Sequence, residues 1–526
     1  MSLLVEFLSQ IRTFVKAKDG GPQLGEWLKV EPTASATYFQ LAQELRTQFR
    51  DAAAVEATVN KCFPDEDVPS GQVAPWPSFV SFMREYVMYW RDANFDDLVT
   101  THERLCTLTN ACGTAFAHPS YGTILLQACM SLSEALARLT MALNKRPDLM
   151  AHQRRGGNEE RKTITEICAE ILQKIFTTCL TDRSSARNAK PEGKKVGVYM
   201  FANLTLKLLF ACHRKQLAQQ IFTNIETNSP PLALYPAAQR VTFLYYLGRF
   251  WFSNSSYSRA SLALEEAYSQ TPRACISHRA LILSYLVPTN ILLGRFPSAA
   301  LLQRPEMRDL APLYGGLCDA LQRGNVPRYQ ALLALHREYL MGKGVHAALA
   351  YEGRGVLWRS LARRVFLLTY TPPLPTDEAA SKKAPLLDLE ALLDLAAVMQ
   401  KQLEALPPHC IAASANTKLS NNTHLVPSSF FSFSPSSSSE SLLPHEGLIS
   451  GNQPVTIEAI ELLVASLIDM DLMHGYISHS HRKFAVLGAR GKDPTAVGWP
   501  VVAAAIRERR YDEDFDMTAV PGWVRS

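Results

Sequence analysis

The stretch "MHGYISHSHRKFAVL", residues 473–487, decides the fold of the C-terminal half. "GYIS" and "KFAVL" alternate in polarity on either side of a tight polar tip, "HSHR", which is the pattern of a short hairpin. Apolar residues at helical spacing precede it over 345–352, 355–370, 386–404 and 455–473. Helices that end in a small hairpin describe a winged helix. On this reading Tyr476 and Ile477 lie on one strand, Phe484 and Val486 lie on its partner, and His474, His479 and His481 sit at the strand entrance and wing tip. Three close histidines raise the question of a metal. No carboxylate or thiolate beside them completes a shell, and Asp469 and Asp471 belong to the helix end. The expectation is an exposed wing without metal or cofactor.

Upstream, apolar residues recur every three or four positions, and strand alternation is almost absent before residue 475. The segments 201–226, 240–272, 278–302 and 314–340 share one plan of helix, short turn and second helix. Their turns "CHRKQ", "FSNSSY", "LGRFPS" and "RGNVPR" recur roughly every 35 to 45 residues, a spacing typical of stacked helix pairs. Such stacks bind partners more often than they catalyse. The aromatics Tyr245, Tyr246, Phe250, Trp251 and Phe252 exceed what one helix face hides, so some are expected to meet a partner. Polar gaps at 152–162 and 183–195 read as exposed basic connections, and 371–385 reads as an insertion. The longer insertion 406–454 is rich in Ser, Asn and Pro, a composition expected to be disordered.

With 526 residues, 47% apolar and 20% charged, the chain can bury a large core and divide into two or three domains. A net charge of +5 is mild, so patch location must carry any nucleic-acid argument. The basic residues concentrate near the winged helix. Arg354, Arg359, Arg363 and Arg364 lie around one helix, and Arg482, Lys483, Arg490 and Lys492 lie at and beyond the wing. Such a groove holds phosphates without reading bases. The ten cysteines form no C-x-x-C pair, which favours reduced thiols in cytosol or nucleus. Glu6, Gln10 and Arg12 interrupt the apolar N-terminus, and no apolar run reaches about 18 residues. Neither secretion nor membrane insertion is expected.

"AQRVTFLYYLGRFWFSNSSYSRASLALEEAYSQTP", "LILSYLVPTNILLGRFPS" and "MHGYISHSHRKFAVL" resemble the PCI family, which is shared by the proteasome lid, the signalosome and initiation factor three. Within it they are similar to the branch holding signalosome subunit-twelve-like proteins and the messenger-RNA export subunit of transcription and export complex 2. The resemblance covers nearly the whole chain and is strongest over 196–370 and 455–487. The 406–454 insertion and the segment 498–526 depart from that branch. The fold class expected is an all-α helical-repeat (TPR-like) superhelix followed by a winged-helix domain with a small β-hairpin wing, together a PCI module. Its parts are an N-terminal helical region over 1–182, repeats over 196–340, a winged helix over 341–490 and a C-terminal extension over 491–526.

The resemblance implies a non-catalytic scaffold in the nucleus, at the pore, with the cytoplasm as a further location. Its winged helix would pair with a larger PCI-type mRNA export scaffold, a small acidic proteasome-lid-type subunit would brace the repeats, and the assembly would hold RNA or duplex DNA. The expected partner contacts are Tyr476, Ile477, Phe484, Tyr246, Phe250 and Trp251. The expected nucleic-acid contacts are Arg482, Lys483, Arg359, Arg363, Arg364, Arg490 and Lys492. The second reading is a signalosome-associated or lid-like scaffold without nucleic acid. No G-x-S-x-G, Walker A, strand-linked G-x-G-x-x-G or H-E-x-x-H motif occurs, so no enzyme is expected.

Overall fold

The computed structural model describes residues 2–17, 21–63, 76–146, 148–149, 162–186, 189–371, 384–405, 441–488 and 492–509. They divide between two compact units, one spanning Met1–Phe250 and the other Trp251–Val520.

The first unit is helical: α1 (Leu3–Lys16), α2 (Gly21–Trp27), α3 (Ala36–Gln48), α4 (Ala52–Cys62), α5 (Pro77–Asp92), α6 (Leu98–Phe116), α7 (Leu126–Asn144), α8 (Ile164–Leu180), α9 (Val198–Ala211), α10 (Lys215–Asn228) and most of α11 (Ala237–Ser253). The sequence dictates these elements locally. In α1 the apolar positions Leu4, Phe7, Leu8 and Ile11 are one-face spacings and are the buried ones. Thr163 and Glu166 close a reciprocal capping box at the start of α8. α8 then packs on α6, α7 and α9. The expected exposed connection 183–195 differs at its end, because Lys194 and Lys195 are buried. Their ammonium groups donate to the carbonyls of His118 and Ser185 at 2.9 and 2.8 Å, which satisfies the charge where composition alone suggested solvation.

The second unit continues with α12 (Tyr257–Gln270), α13 (Ile276–Leu292), α14 (Ala299–Leu302), α15 (Ala311–Arg323), α16 (Val326–Leu335), α17 (Arg337–Lys343) and α18 (His346–Thr369). The four recurrent turns share one geometry. His213, Ser255, Gly294 and Gly324 all have positive φ, between 56° and 73°. The next N–H reaches back five residues each time: Arg214 to Leu209, Ser256 to Trp251, Arg295 to Asn290 and Asn325 to Ala320. This left-handed cap satisfies helix-end carbonyls and reverses the chain. In α13, Pro288 has no N–H to give to Ser284, and the Tyr314 hydroxyl reaches that carbonyl at 3.3 Å instead.

The two helices expected over 345–352 and 355–370 are the single helix α18. Gly353 does not break it. A Cβ there would lie 2.5 Å from the Tyr329 hydroxyl, which donates to Leu349 O at 2.8 Å, so this glycine is a packing notch. The helix expected from 386 starts three residues later, because Leu386–Asp388 forms a strand, β1. Next come α19 (Leu389–Ala405), α20 (Ile457–Asp469), β2 (Gly475–Ser478), β3 (Lys483–Val486), α21 (Pro494–Val497) and α22 (Val502–Arg509). The sheet order is β1-β3-β2, antiparallel throughout. Helix, strand, helix, helix, strand, strand is the order of a winged helix.

The expectation of disorder over 406–454 holds no place for its last part. Residues 406–440 lie outside the described residues, but 441–454 form turns packed onto the helices. Arg354 donates to the carbonyls of His445, Gly447 and Ile449 at 2.6 to 2.9 Å. Gln330 also donates to His445 O, and Gln400 exchanges hydrogen bonds with Gly451 O and Leu448 N. Leu442 and Leu448 are buried. Backbone groups held by buried polar side chains outweigh the unfavourable composition. The C-terminal extension likewise starts inside the fold: Trp499 is buried against Phe366, with ring centroids 4.5 Å apart.

Candidate partner and nucleic-acid interface

The winged-helix sheet presents two faces. Leu387, Phe484 and Ile477 form one cross-strand row, in which Leu387 and Phe484 are fully buried. In the neighbouring row, Leu386, Ala485 and Tyr476, the central Ala485 is buried while Leu386 and Tyr476 at its ends stay exposed, as does Leu487 past the strand end. Tyr476 is thus exposed and Ile477 is half-buried. Phe484 is core, which corrects the expectation of a contact. Tyr246 and Phe250 are also core: Tyr246 packs on Phe210 and Phe250 on Phe222, at 5.4 and 5.0 Å between centroids. One helix hides these rings because neighbouring helices of the same unit supply aromatic surface. Trp251 is half-buried, with Arg259 over its ring.

The exposed side chains of the wing tip already have partners within the fold. Arg482 closes the tip with φ of 51°, its carbonyl accepts from Leu389 N–H at 3.1 Å, and its guanidinium pairs with Glu390 at 2.9 Å. His479 Nδ1 lies 2.7 Å from Glu461. His481 meets the hydroxyls of Ser478 and Ser480. Glu458 is held below the usual carboxylate range, first by its own backbone N–H and the Thr456 hydroxyl, then by Arg482 and His479. Three carboxylates, Glu390, Glu458 and Glu461, thus lie around Arg482 and His479. Helix α20, which takes the groove-reading position in helix-turn-helix proteins, carries no Lys or Arg, and its exposed residues are Glu458, Leu462, Ala465, Ser466 and Asp469. The carboxylates were the signal that reading the basic residues alone passed over.

Of the remaining expected cations, Lys483 opens β3 directly after the tip and the others lie on α18 or beyond the hairpin. Arg359 is turned into the fold and donates to the carbonyls of Trp499 and Pro500 at 3.1 and 2.8 Å. Burial, with Arg363 nearby, pulls its pKa down to about 10. It is thus a structural tie. Arg363 is half-buried and acts on Asp493, whose carboxyl is held low chiefly by Thr495. Arg364 and Lys492 are exposed, and Lys483 is half-buried. Arg490 lies outside the described residues. Among the described residues no group of three or more His, Cys, Asp and Glu is placed to hold a metal. No described helix is long and apolar enough to cross a membrane.

No family model matches the chain. Individual relatives do. The "Protein CSN12 homolog" of Neurospora crassa is 31% identical over 212 residues, 40% of this chain and 45% of that protein. A "PCI domain-containing protein" of Schizosaccharomyces pombe is 26% identical over 370 residues, 70% of this chain and 79% of its own length. The chain is similar to PCI-domain proteins. The "PCI domain-containing protein 2" of Xenopus laevis agrees, at 29% identity over 40% of this chain and 51% of the relative. The chain thus spans about half the length of the frog protein and less than half of the fungal CSN12 homologue. These likenesses support the PCI family, whose helical scaffold and terminal winged helix match the elements described above.

Proposed function

We propose that this chain is a non-catalytic PCI scaffold subunit of a nuclear, transcription-coupled mRNA export complex. Its helix pairs stack in a TPR-like superhelix, and its winged helix pairs with that of a larger PCI-type export scaffold through the exposed Leu386, Tyr476 and Leu487. A small acidic proteasome-lid-type subunit braces the repeats. The observation that carries the reading is a winged helix at the end of consecutive helix pairs, in a chain whose relatives bear PCI and CSN12 names. Nucleic acid is held through its backbone by Arg363, Arg364, Lys483 and Lys492, because the wing tip and α20 carry carboxylates that repel phosphate.

The second reading, a signalosome-like scaffold without nucleic-acid contact, is favoured by one observation: Arg482 and His479 are both matched by carboxylates. A salt titration of RNA and duplex-DNA binding by the purified chain, alone and with a PCI-type partner, separates the two. A steep fall of affinity with salt supports the first. No binding at low salt leaves the second.

A further inference from the structure

Residues 441–454 run from the long insertion to the N-cap of α20, held as a strap by Arg354, Gln330 and Gln400. One contact in this strap differs in kind from the others. The ring of His445 meets the ring of His346 edge-on, 5.4 Å between centroids and 87° between planes. His346 is the first residue of α18, where the helix end is positive. Tyr351 of α18 flanks His445 at 6.3 Å.

The charged groups facing the pair come from three elements. Arg337 of α17 acts on both rings, Arg354 of α18 acts on His445, and Glu446 of the strap acts on both. Glu446 is the one carboxylate among these groups and it favours protonation; it is buried, and one of its oxygens accepts from Leu443 N–H. Burial comes first in lowering both histidines, and the neighbouring cations add to it. A charge on His445 also disfavours one on His346.

We propose that the His346–His445 contact is a proton-sensitive latch: neutral rings hold the strap on α18, and protonation sets two cations against each other beside Arg337 and Arg354 and loosens it. Loosening exposes the strap's own buried Leu442 and Leu448 and frees the Arg354 guanidinium from the strap carbonyls. The sign follows from the direction of the shifts. A histidine lowered in the fold stabilises that fold above its ordinary value of 6.5 and withdraws that stability as pH falls below it. The latch is closed at neutral pH and weakens under mild acid.

The test is hydrogen exchange of residues 442–453 in the full chain at about pH 7.5 and about pH 5.5, corrected for intrinsic rates and referenced to residues 356–366 of α18. In the wild type, strap protection falls at least about threefold more than the reference at the lower pH. In His346→Gln/His445→Gln it does not change with pH. His445→Lys, a permanent charge, lowers strap protection already at the higher pH. Equal protection of the wild-type strap at both values overturns the latch, as does an undiminished pH response in the double Gln variant or full strap protection in His445→Lys.

Discussion

Arg482 and Glu390 meet at 2.9 Å, the wing-tip guanidinium against the first turn of α19. The wing's most obvious cation is thus already engaged within the fold. Both side chains are more than half exposed, so the pair stabilises the hairpin only weakly.

Arg482→Glu is accordingly expected to cost under about 1 kcal/mol and to leave the salt dependence of RNA binding almost unchanged. Arg364→Glu combined with Lys483→Glu is expected to lower the slope of log affinity against log salt by about one to two. A salt titration on the folded variants decides between them, and a larger effect from Arg482 would return the wing tip to the binding surface.

Phe484→Asp puts a carboxylate where the side chain is fully buried between Leu387 and Ile477. A loss of about 4 kcal/mol or more is expected. Tyr476→Asp, at an exposed position, should cost little stability and instead weaken pairing with a PCI-type partner. Thermal melts beside pull-down of that partner read the two effects separately.

Arg279 and Glu306 form a buried pair at 2.9 Å, with the Tyr268 hydroxyl on the same carboxylate at 2.7 Å. Burial alone raises the Glu306 pKa, but the hydrogen bonds from Tyr268 and Arg279 outweigh it and hold it at about 2, against an ordinary 4.5. A depressed carboxyl gives stability that is complete above its ordinary value and is lost as pH falls towards the folded one. Unfolding free energy should therefore decline between about pH 4.5 and about pH 2 through this group. Glu306→Gln leaves the Arg279 charge uncompensated, which costs about 3 to 5 kcal/mol at neutral pH and flattens that acid limb in denaturant titrations.

Arg354→Met removes the donor to three strap carbonyls at once. Gln330 and Gln400 keep their own hydrogen bonds to the strap, so α18 should stay folded. Limited proteolysis should then cut within 441–454 at least about tenfold faster than in the wild type, the signature of local opening.

His213 is exposed and holds φ of 60°, a conformation that costs a side chain about 1 kcal/mol. His213→Gly is expected to stabilise the chain by about that amount, seen as a higher denaturant midpoint with an unchanged slope.

The helix pairs and the hairpin were legible because period and turn chemistry are local properties. The strand Leu386–Asp388 was not, since three residues ahead of a helix carry no period of their own; pairing with Ala485, Phe484 and Lys483 makes it a strand. The strap was hidden by composition. Its order comes from Arg354, Gln330 and Gln400, which lie roughly 50 to 115 residues away in sequence, and no local pattern reports such a contact. Basic residues were visible as types, but whether Arg359 faces carbonyls or solvent depends on Trp499 and Pro500 arriving from a distant segment. The buried fate of Tyr246, Phe250 and Phe484 was likewise set by neighbours that a single helix or strand does not reveal.

The shared left-handed turn at His213, Ser255, Gly294 and Gly324 has a consequence for how such a chain changes over generations. Each reversal is completed by hydrogen bonds spanning six residues, so the instruction to turn back travels with its own short stretch of sequence. Recombination at these turns can duplicate or delete a helix pair without rewriting the turns on either side. The inventory of pairs is thereby open to revision, but not equally at every turn, since Gly294 and Gly324 lie against Val502 and Leu361 and tie their turns to the C-terminal half.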